Sequence, residues 1–464
     1  MTQWIPDLEK HQGPRYRAIA DALGEDIASG RLPAGMRLPT HRELAYQLGV
    51  TVGTITRAYA EAEKRGLIGG EVGRGTFVQG QRLGGRNGNT TWEAIAEDAA
   101  INMTTLRAEH TDAAQAFGTA LAAIAASGGA AQLLDYAPHA GLPAHRAAGA
   151  QWLARQHRVS AKAESVLLTT GAQNGLAVAL AAVARPGDVV LTERLANYGV
   201  KALASTQGYH LEGVALDEHG LVPDAFDSAC RRLAPKAAYL VPTMQNPTGS
   251  LMPMERRGEI AGIARRYGVM LIEDDVFGFL VADAKPIQAI APDITVYVSS
   301  LSKSVSAGLR VGYVVAPPSL VPRIESAIHA LQYSAPALPA EVATRWILDG
   351  SADRFAEAQR SEDAARQAIA RAILPPSVIC GHPNAQHLWL VLPEPWRRDD
   401  FVSEVRRRGA MVIGADTFAV GRASAPHAVR VGLRMPRTRE EVERGARALA
   451  EALAQPVSAT QSIV

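Results

Sequence analysis

Between residues 165 and 316 six short apolar runs recur: SVLLTT (165–170), DVVLTE (188–193), AAYLVP (237–242), VMLIED (269–274), TVYVSS (295–300) and VGYVVA (311–316). Each has the length of a strand and lacks polar alternation, the pattern of a strand buried on both faces. Amphipathic stretches such as MERRGEIAGIARRYG separate them. Buried strands alternating with helices predict an α/β domain on a mostly parallel sheet. Ligands of such sheets bind beyond the carboxyl ends of the strands, so chemistry-bearing residues are expected just after these runs.

They stand there. After VLLTT come Gly171, Ala172, Gln173, Asn174 and Gly175, small residues opening a helix whose N–H groups suit a phosphate. After AAYLVPTMQ comes Asn246-Pro247-Thr248-Gly249, after VMLIE comes Asp274-Asp275, and after TVYVSS come Ser302-Lys303 and then Arg310. Singly, each piece has a plain structural reading. NPTG is a good turn, paired aspartates usually cap helices or face water, and a serine-flanked lysine is common on surfaces.

The first 80 residues have a different texture. Tyr16, Ile19, Ala20, Leu23 and Ile27 repeat at helical spacing, with Pro14 before and Gly30 after. HRELAYQLG is a second, short helix with Thr40 as its expected N-cap and Gly49 closing it. A third follows in VTVGTITRAYAEAEKRG, and LIGGEVGRGTFV predicts two strands around a glycine turn. Two helices joined by a tight turn make a helix-turn-helix, and the hairpin makes it winged. Leu38, Pro39, Arg42, Leu44, Ala45, Gly49, Val50, Thr54, Ala58, Tyr59, Gly66, Leu67, Ile68, Gly73, Gly75, Thr76, Phe77 and Val78 resemble the pattern of the GntR family over residues 12–78. The resemblance implies binding to double-stranded DNA, with the third helix in a major groove and its N-terminal residues leading. Arg42, Thr51, Gly53, Thr54 and Arg57 are the expected contacts, with Arg74 on the wing reaching a minor groove. Many members carry Ser-Arg where this chain has Thr51-Val52, and Val52 suits a thymine methyl. Ten Lys+Arg and nine Asp+Glu in residues 1–80 give a net of +1, so charge alone does not distinguish a DNA reader from a packing module.

Residues 79–91, QGQRLGGRNGNTT, hold four glycines and predict a flexible linker spanning about 20 Å. The overall charge of +2 argues for neither nucleic acid nor membrane. The two cysteines, Cys230 and Cys380, form no zinc spacing, and no metal site is expected. The longest smooth apolar run, LAVALAAVA at 176–184, is far short of the roughly 20 residues of a membrane span. With no leader-like segment in MTQWIPDLEK, a cytoplasmic location is expected.

Taken together, the residues after the apolar runs resemble the fold-type I aminotransferases of class I/II, from about residue 100 to 455. That resemblance implies pyridoxal 5′-phosphate (PLP). Lys303 would be its attachment residue, since the cofactor needs a partly neutral amine and burial with Arg310 nearby would lower the lysine pKa. Asp274 would partner the pyridine nitrogen. Asn246 would meet the ring 3′-oxygen, while Gly171, Ala172, Gln173, Ser300, Ser302 and Arg310 would hold the phosphate. Tyr136, in DYAPHAGLPAHRAAGAQWL, resembles the tyrosine that reaches a neighbouring subunit's cofactor, which implies a homodimer. Arg430, in AVRVGLRMPRTREEVERGARAL, would bind a substrate carboxylate. Two departures stand out. The tyrosine usual two or three positions past the ring aspartate is replaced by Val276 and Phe277. Asn197 occupies the ring-stacking place, so Tyr198 either stacks or points away.

The expected fold class is α/β: a winged helix-turn-helix at 1–78, the linker at 79–91, and a PLP-dependent transferase region at 92–464. The last divides into a large part at about 130–320 and a smaller α+β part at about 321–460. This union resembles the MocR subfamily of regulators. It implies a PLP-dependent transcription factor sensing a small amine, an amino acid or PLP. An active aminotransferase with a secondary DNA module is the alternative.

Overall fold

The protein is seen in a computed structural model that describes residues 4–8, 14–29, 31–32, 36–64, 67–71, 75–78, 100–106, 108, 110, 112–421 and 425–455. Arg74 and the expected linker at 79–91 lie outside the described residues. The chain divides into two compact units, Met1–Glu97 and Asp98–Val464.

The first unit contains α1 (Arg15–Ala28), α2 (His41–Leu48), α3 (Val52–Lys64), β1 (Ile68–Glu71) and β2 (Gly75–Val78). Thr40 caps α2 in a reciprocal box: its Oγ1 accepts from Glu43 N at 3.3 Å, and its own N–H donates to Glu43 Oε2 at 2.8 Å. Such a cap contributes about 1 kcal/mol. Gly49 ends the helix at φ 61°, a left-handed turn that glycine adopts freely. The core gathers Ile19, Leu23, Leu44, Ile55, Tyr59 and Ile68 from all three helices and the wing. Beyond the two expected strands, the wing is joined by a bridge from the connection before α2. Leu38 N donates to Thr76 O and Val78 N to Met36 O, both at 2.8 Å, and Arg37 forms an isolated antiparallel bridge with Phe77.

The second unit is built on a seven-stranded sheet. Its members are β4 (Val166–Thr169), β5 (Val189–Glu193), β6 (His210–Val214), β9 (Ala237–Leu240), β10 (Met270–Asp274), β11 (Thr295–Ser300) and β12 (Gly312–Val315), with β7 (Leu216–Asp217) and β8 (Gly220–Leu221) a small hairpin beside them. The spatial order is β4-β12-β11-β10-β9-β5-β6, parallel except at β12. All six apolar runs are strands of this sheet. The seventh, β6, escapes the pattern because it is an edge strand with mostly exposed side chains.

Helices α4 (Ala113–Ala126), α5 (Pro143–His157), α6 (Ala172–Val183), α7 (Tyr198–Gln207), α8 (Pro223–Leu233), α9 (Met254–Tyr267), α10 (Val321–Gln332) and α11 (Ala337–Leu348) belong to the same layer system. Ile324 and Ile328 of α10 join one sheet-side core, and Val342 and Trp346 of α11 join the other. A separate core begins at Ala370 within α12 (Ser351–Ile373), so the cores divide inside that helix rather than near residue 321.

The smaller part carries an antiparallel sheet of β13 (Ile379–Cys380), β14 (His387–Val391), β17 (Ala428–Gly432) and β16 (Ile413–Gly414), covered by α13 (Arg398–Arg407) and α14 (Arg439–Ala454). It also receives the start of the described second unit: β3 (Ile101–Asn102) pairs in parallel with β15 (Ala410–Met411). The segment continues along β17, where Gly432 N donates to Met103 O at 2.7 Å. A Cβ on Gly432 would lie 3.0 Å from Thr105 O, so glycine suits the close approach of this strap.

Candidate functional site

The residues expected to contact DNA lie on α2 and at the start of α3 of the first unit, apart from Arg74. Thr51 Oγ1 accepts from Thr54 N at 3.2 Å and meets Thr54 Oγ1 at 2.9 Å, which caps α3 at its first turn. Arg42, Thr51, Gly53 and Arg57 are exposed and Thr54 is half-buried. Val52, 45% exposed at the helix N-terminus, is an apolar side chain facing water, as a thymine-methyl contact requires. Tyr46 of α2 is 90% exposed.

In the second unit the strand ends converge on one cleft. Lys303, Asp274, Asn246, Tyr198 and Arg430 line it together with Asn197, Tyr239, Val241, Val276, Phe277, Thr105 and Leu106. Tyr198 is half-exposed on the first turn of α7, which Asn197 caps by accepting from Gly199 N at 3.2 Å. Both residues therefore face the cleft from one turn.

Lys303 is half-buried, and its Nζ donates to Leu106 O at 2.6 Å. Burial pushes its pKa down to about 8, with Arg430 and then Arg310 adding in the same direction and Asp274 opposing. The expected cause thus holds in kind, but Arg430 is the stronger cationic neighbour. Asp274 is 5% exposed and burial raises it to about 6, against the hydrogen bond from Tyr239. Asn246 is buried, and its Oδ1 accepts from Arg430 Nη1 at 2.8 Å. Arg430 is no surface arginine. It is 3% exposed, its Nη2 donates to Thr104 O at 2.5 Å, it sits over the Phe418 ring, and its Nε is buried without a partner among the described residues.

The phosphate-side residues meet at the start of α6. Arg310 Nη1 donates to Ser302 Oγ and Nη2 to Thr170 O, both at 3.3 Å. Gly171 precedes α6 at φ 76°, and a Cβ there would lie 2.5 Å from Arg310 Nη2. Ala172 and Gln173 contribute the first-turn N–H groups, while the Gln173 side chain is committed to Gly199 O at 3.0 Å. Ser300 Oγ accepts from Ser302 N at 3.4 Å. An open helix N-terminus beside a guanidinium is an anion cradle.

The donor set fits PLP. It pairs this cradle with a buried carboxylate, a lysine of lowered pKa and a cleft-lining arginine whose Nε has no partner among the described residues. Tyr136 stands apart, 80% exposed with its ring 4.8 Å from Tyr333, and does not line this subunit's cleft. Four lining residues, Thr105, Leu106, Tyr239 and Val241, were missed in the sequence. Thr105 and Leu106 are about 200 positions from Lys303 and leave no local signal, whereas Tyr239 was visible as the one polar-tipped residue in AAYLVP.

The family model for aminotransferase class I and II matches residues 96–449. The chain belongs to that family. The model for bacterial regulatory proteins of the gntR family matches residues 15–78, and the two together are the layout of MocR-type regulators. The chain is 29% identical to the HTH-type transcriptional regulator YdeF of Bacillus subtilis over 95% of both proteins. It is 26% identical to the HTH-type transcriptional regulator YjiR of Escherichia coli over 91% of this chain and 95% of that protein. Among solved structures, an archaeal alanine:glyoxylate aminotransferase superposes with a TM-score of 0.69 at 24% identity, over 76% of this chain and 90% of that one, which shows the fold. Among the described residues no helix is long and apolar enough to cross a membrane, and no cluster of three metal-ligating side chains occurs.

Proposed function

We propose that this protein is a PLP-dependent transcriptional regulator that binds DNA through α2, α3 and the wing, and senses a small amino acid in the cleft around Lys303. The cofactor supplies an aldehyde that captures amines and a ring that withdraws electrons. Lys303 holds it, Asp274 accepts from its ring nitrogen, and Ser300, Ser302, Arg310 and the Gly171–Gln173 turn bind its phosphate. Arg430 binds the ligand carboxylate, with an arginine fork suited to that geometry.

The observation that carries sensing is the strap at residues 101–106. Its carbonyls occupy both cations of the cleft, Thr104 O on Arg430 and Leu106 O on Lys303. A carboxylate on Arg430 competes with Thr104 O, and engagement of the Lys303 amine releases Leu106 O. The strap is the stretch of chain that leads from the DNA-binding unit, so occupancy of the cleft alters the anchorage of that connection. A coupling of about 1–3 kcal/mol would change DNA affinity 5- to 150-fold. Tyr136 and the 89%-exposed Leu134 support a homodimer, in which Tyr136 serves the neighbouring subunit's cofactor.

A catalytic reading rests on the same convergence of Lys303, Asp274, Asn246 and Arg430. The apolar Val276 and Phe277, where the family tyrosine stands, favour the sensor. The test is a fluorescence anisotropy titration on DNA upstream of the protein's own gene, at stated salt, with PLP and a panel of amino acids. An amino acid that shifts affinity in wild type but not in Arg430→Gln supports the proposal. Absence of any DNA binding at low salt, alongside brisk amine-to-keto-acid turnover, supports the enzyme instead.

A further inference from the structure

Two aspartates stand side by side at the end of β10, and each meets a fully buried tyrosine from a neighbouring strand. Tyr239 of β9 donates its hydroxyl to Asp274 Oδ2 at 2.9 Å, and Tyr297 of β11 donates to Asp275 Oδ2 at 2.8 Å. Successive side chains on a strand point to opposite faces, so the two pairs lie on opposite sides of the sheet. Tyr239 packs with Ile272 and Val298 in one core, and Tyr297 with Trp152 and Tyr313 in the other. The Tyr239–Asp274 pair lines the cleft; the Tyr297–Asp275 pair does not.

Register explains the reach. Tyr239 is paired with Ile272, two residues before Asp274 on the same face, and a phenol spans the remaining distance along the strand. The direction of the bond is fixed as well. Burial and the nearby carboxylates of Asp274 and Glu193 hold the Tyr239 pKa well above its ordinary value, so the phenol keeps its proton and Asp274 accepts. Asp274 Oδ1 has only a long bond, 3.4 Å, from Val276 N–H, which leaves it open to a stronger donor.

We propose that Tyr239 is the positioning residue for Asp274: it engages Oδ2, presents Oδ1 to the ring nitrogen of PLP, and holds the buried carboxylate in its charged form. This rests on the PLP reading above. It also has a corollary for the family tyrosine replaced by Val276 and Phe277. Tyr239 does not substitute for it at the ring 3′-oxygen, because its hydroxyl is committed to Asp274.

The test uses the full-length protein, PLP labelled with ¹⁵N in the ring, and the carbocyclic analogue lacking that nitrogen. Tyr239→Phe is expected to bind PLP about ten-fold more weakly, the worth of one hydrogen bond to a charged group. Its ring ¹⁵N resonance moves toward the unprotonated position, and binding of the carbocyclic analogue is unchanged. Tyr297→Phe, an equally buried phenol beside the other aspartate, leaves the ¹⁵N resonance in place. A wild-type resonance and affinity in Tyr239→Phe, or an equal loss for PLP and the analogue, overturns the proposal in favour of simple packing. If Tyr239→Phe does not fold, 3-fluorotyrosine at position 239 alone keeps the donor and makes it more acidic. The resonance then moves toward the protonated position, and an unmoved resonance overturns the proposal. Wild-type protein that takes up no PLP sinks the cofactor reading itself, which this design separates from failure at Tyr239.

Discussion

Replacing Asp274 with asparagine should stabilise the cofactor-free protein while destroying its affinity for PLP. The carboxylate is 5% exposed and burial raises its pKa to about 6 from 3.8. A rise of that size corresponds to about 3 kcal/mol of destabilisation whenever the group is ionised in the folded state. Asparagine has the same shape and still accepts from the Tyr239 hydroxyl. Its amide brings donors that need partners, so a net gain of about 1–3 kcal/mol is expected at pH 8. The raised pKa fixes the pH window. Above pH 6 the folded protein carries the full cost of the buried charge. As pH falls from about 6 toward 4 the folded state takes up the proton first, and the difference fades. Below that both states are protonated and the two proteins converge. Calorimetry of the apoproteins at pH 8 and pH 4.5 reads this directly. Added PLP should raise the transition of the wild type and leave the variant unmoved. A variant less stable than wild type at pH 8, or a gain of equal size at both pH values, would refute the argument that Asp274 is held charged against its own burial.

Three further outcomes follow from the geometry. With burial, Arg430 and Arg310 pressing the Lys303 pKa down to about 8, the rate of PLP uptake by apoprotein should rise with pH to a midpoint near 8, and Arg430→Gln should move that midpoint upward; a midpoint near the ordinary lysine value contradicts the site electrostatics. Gly171→Ala forces a side chain into φ 76°, ψ 173° and against Arg310 Nη2, so thermal unfolding should show a loss of about 1–3 kcal/mol and equilibrium dialysis a weaker hold on PLP. Arg57→Ala, on the exposed flank of α3, should weaken DNA binding across all sequences and reduce the salt slope by about one, with an unchanged slope arguing against a phosphate contact.

The sheet was legible because its inner strands are apolar on both faces. The six runs became six strands, and the residues that follow them line or flank one cleft. What stayed hidden had a physical reason in each case. The β6 strand sits at the edge with one side to solvent, and its sequence HLEGV resembles a loop. The bridge from Arg37 to the wing lies beside Pro39, in a stretch that reads as a turn. Tyr239 was inside a recognised run, but a strand pattern does not tell which buried phenol meets which carboxylate two residues along the neighbouring strand.

The strap is the most instructive of these. Nothing in NMTTL marks residues 102–106 as part of a ligand site, because they act through backbone carbonyls, which every residue carries. Leu106 O meets Lys303 across 197 positions, and Thr104 O meets Arg430 across 326. The sequence signal lies in the glycine on the other side: Gly432 admits the strap because it has no Cβ, while Arg430, two residues earlier on the same face of β17, reaches Thr104. Gly432→Ala therefore tests the strap without touching either cation. A methyl 3.0 Å from Thr105 O and 3.1 Å from Met103 O makes the strap give way by a few tenths of an ångström. The Lys303 and Arg430 hydrogen bonds to it should lengthen, and amino-acid binding in the cleft should tighten because the competing carbonyls are held less well. If the strap carries the signal, DNA affinity in this variant should lose its dependence on the ligand while PLP binding survives. A variant that binds ligand and still couples it to DNA like wild type would move the signal to another part of the fold.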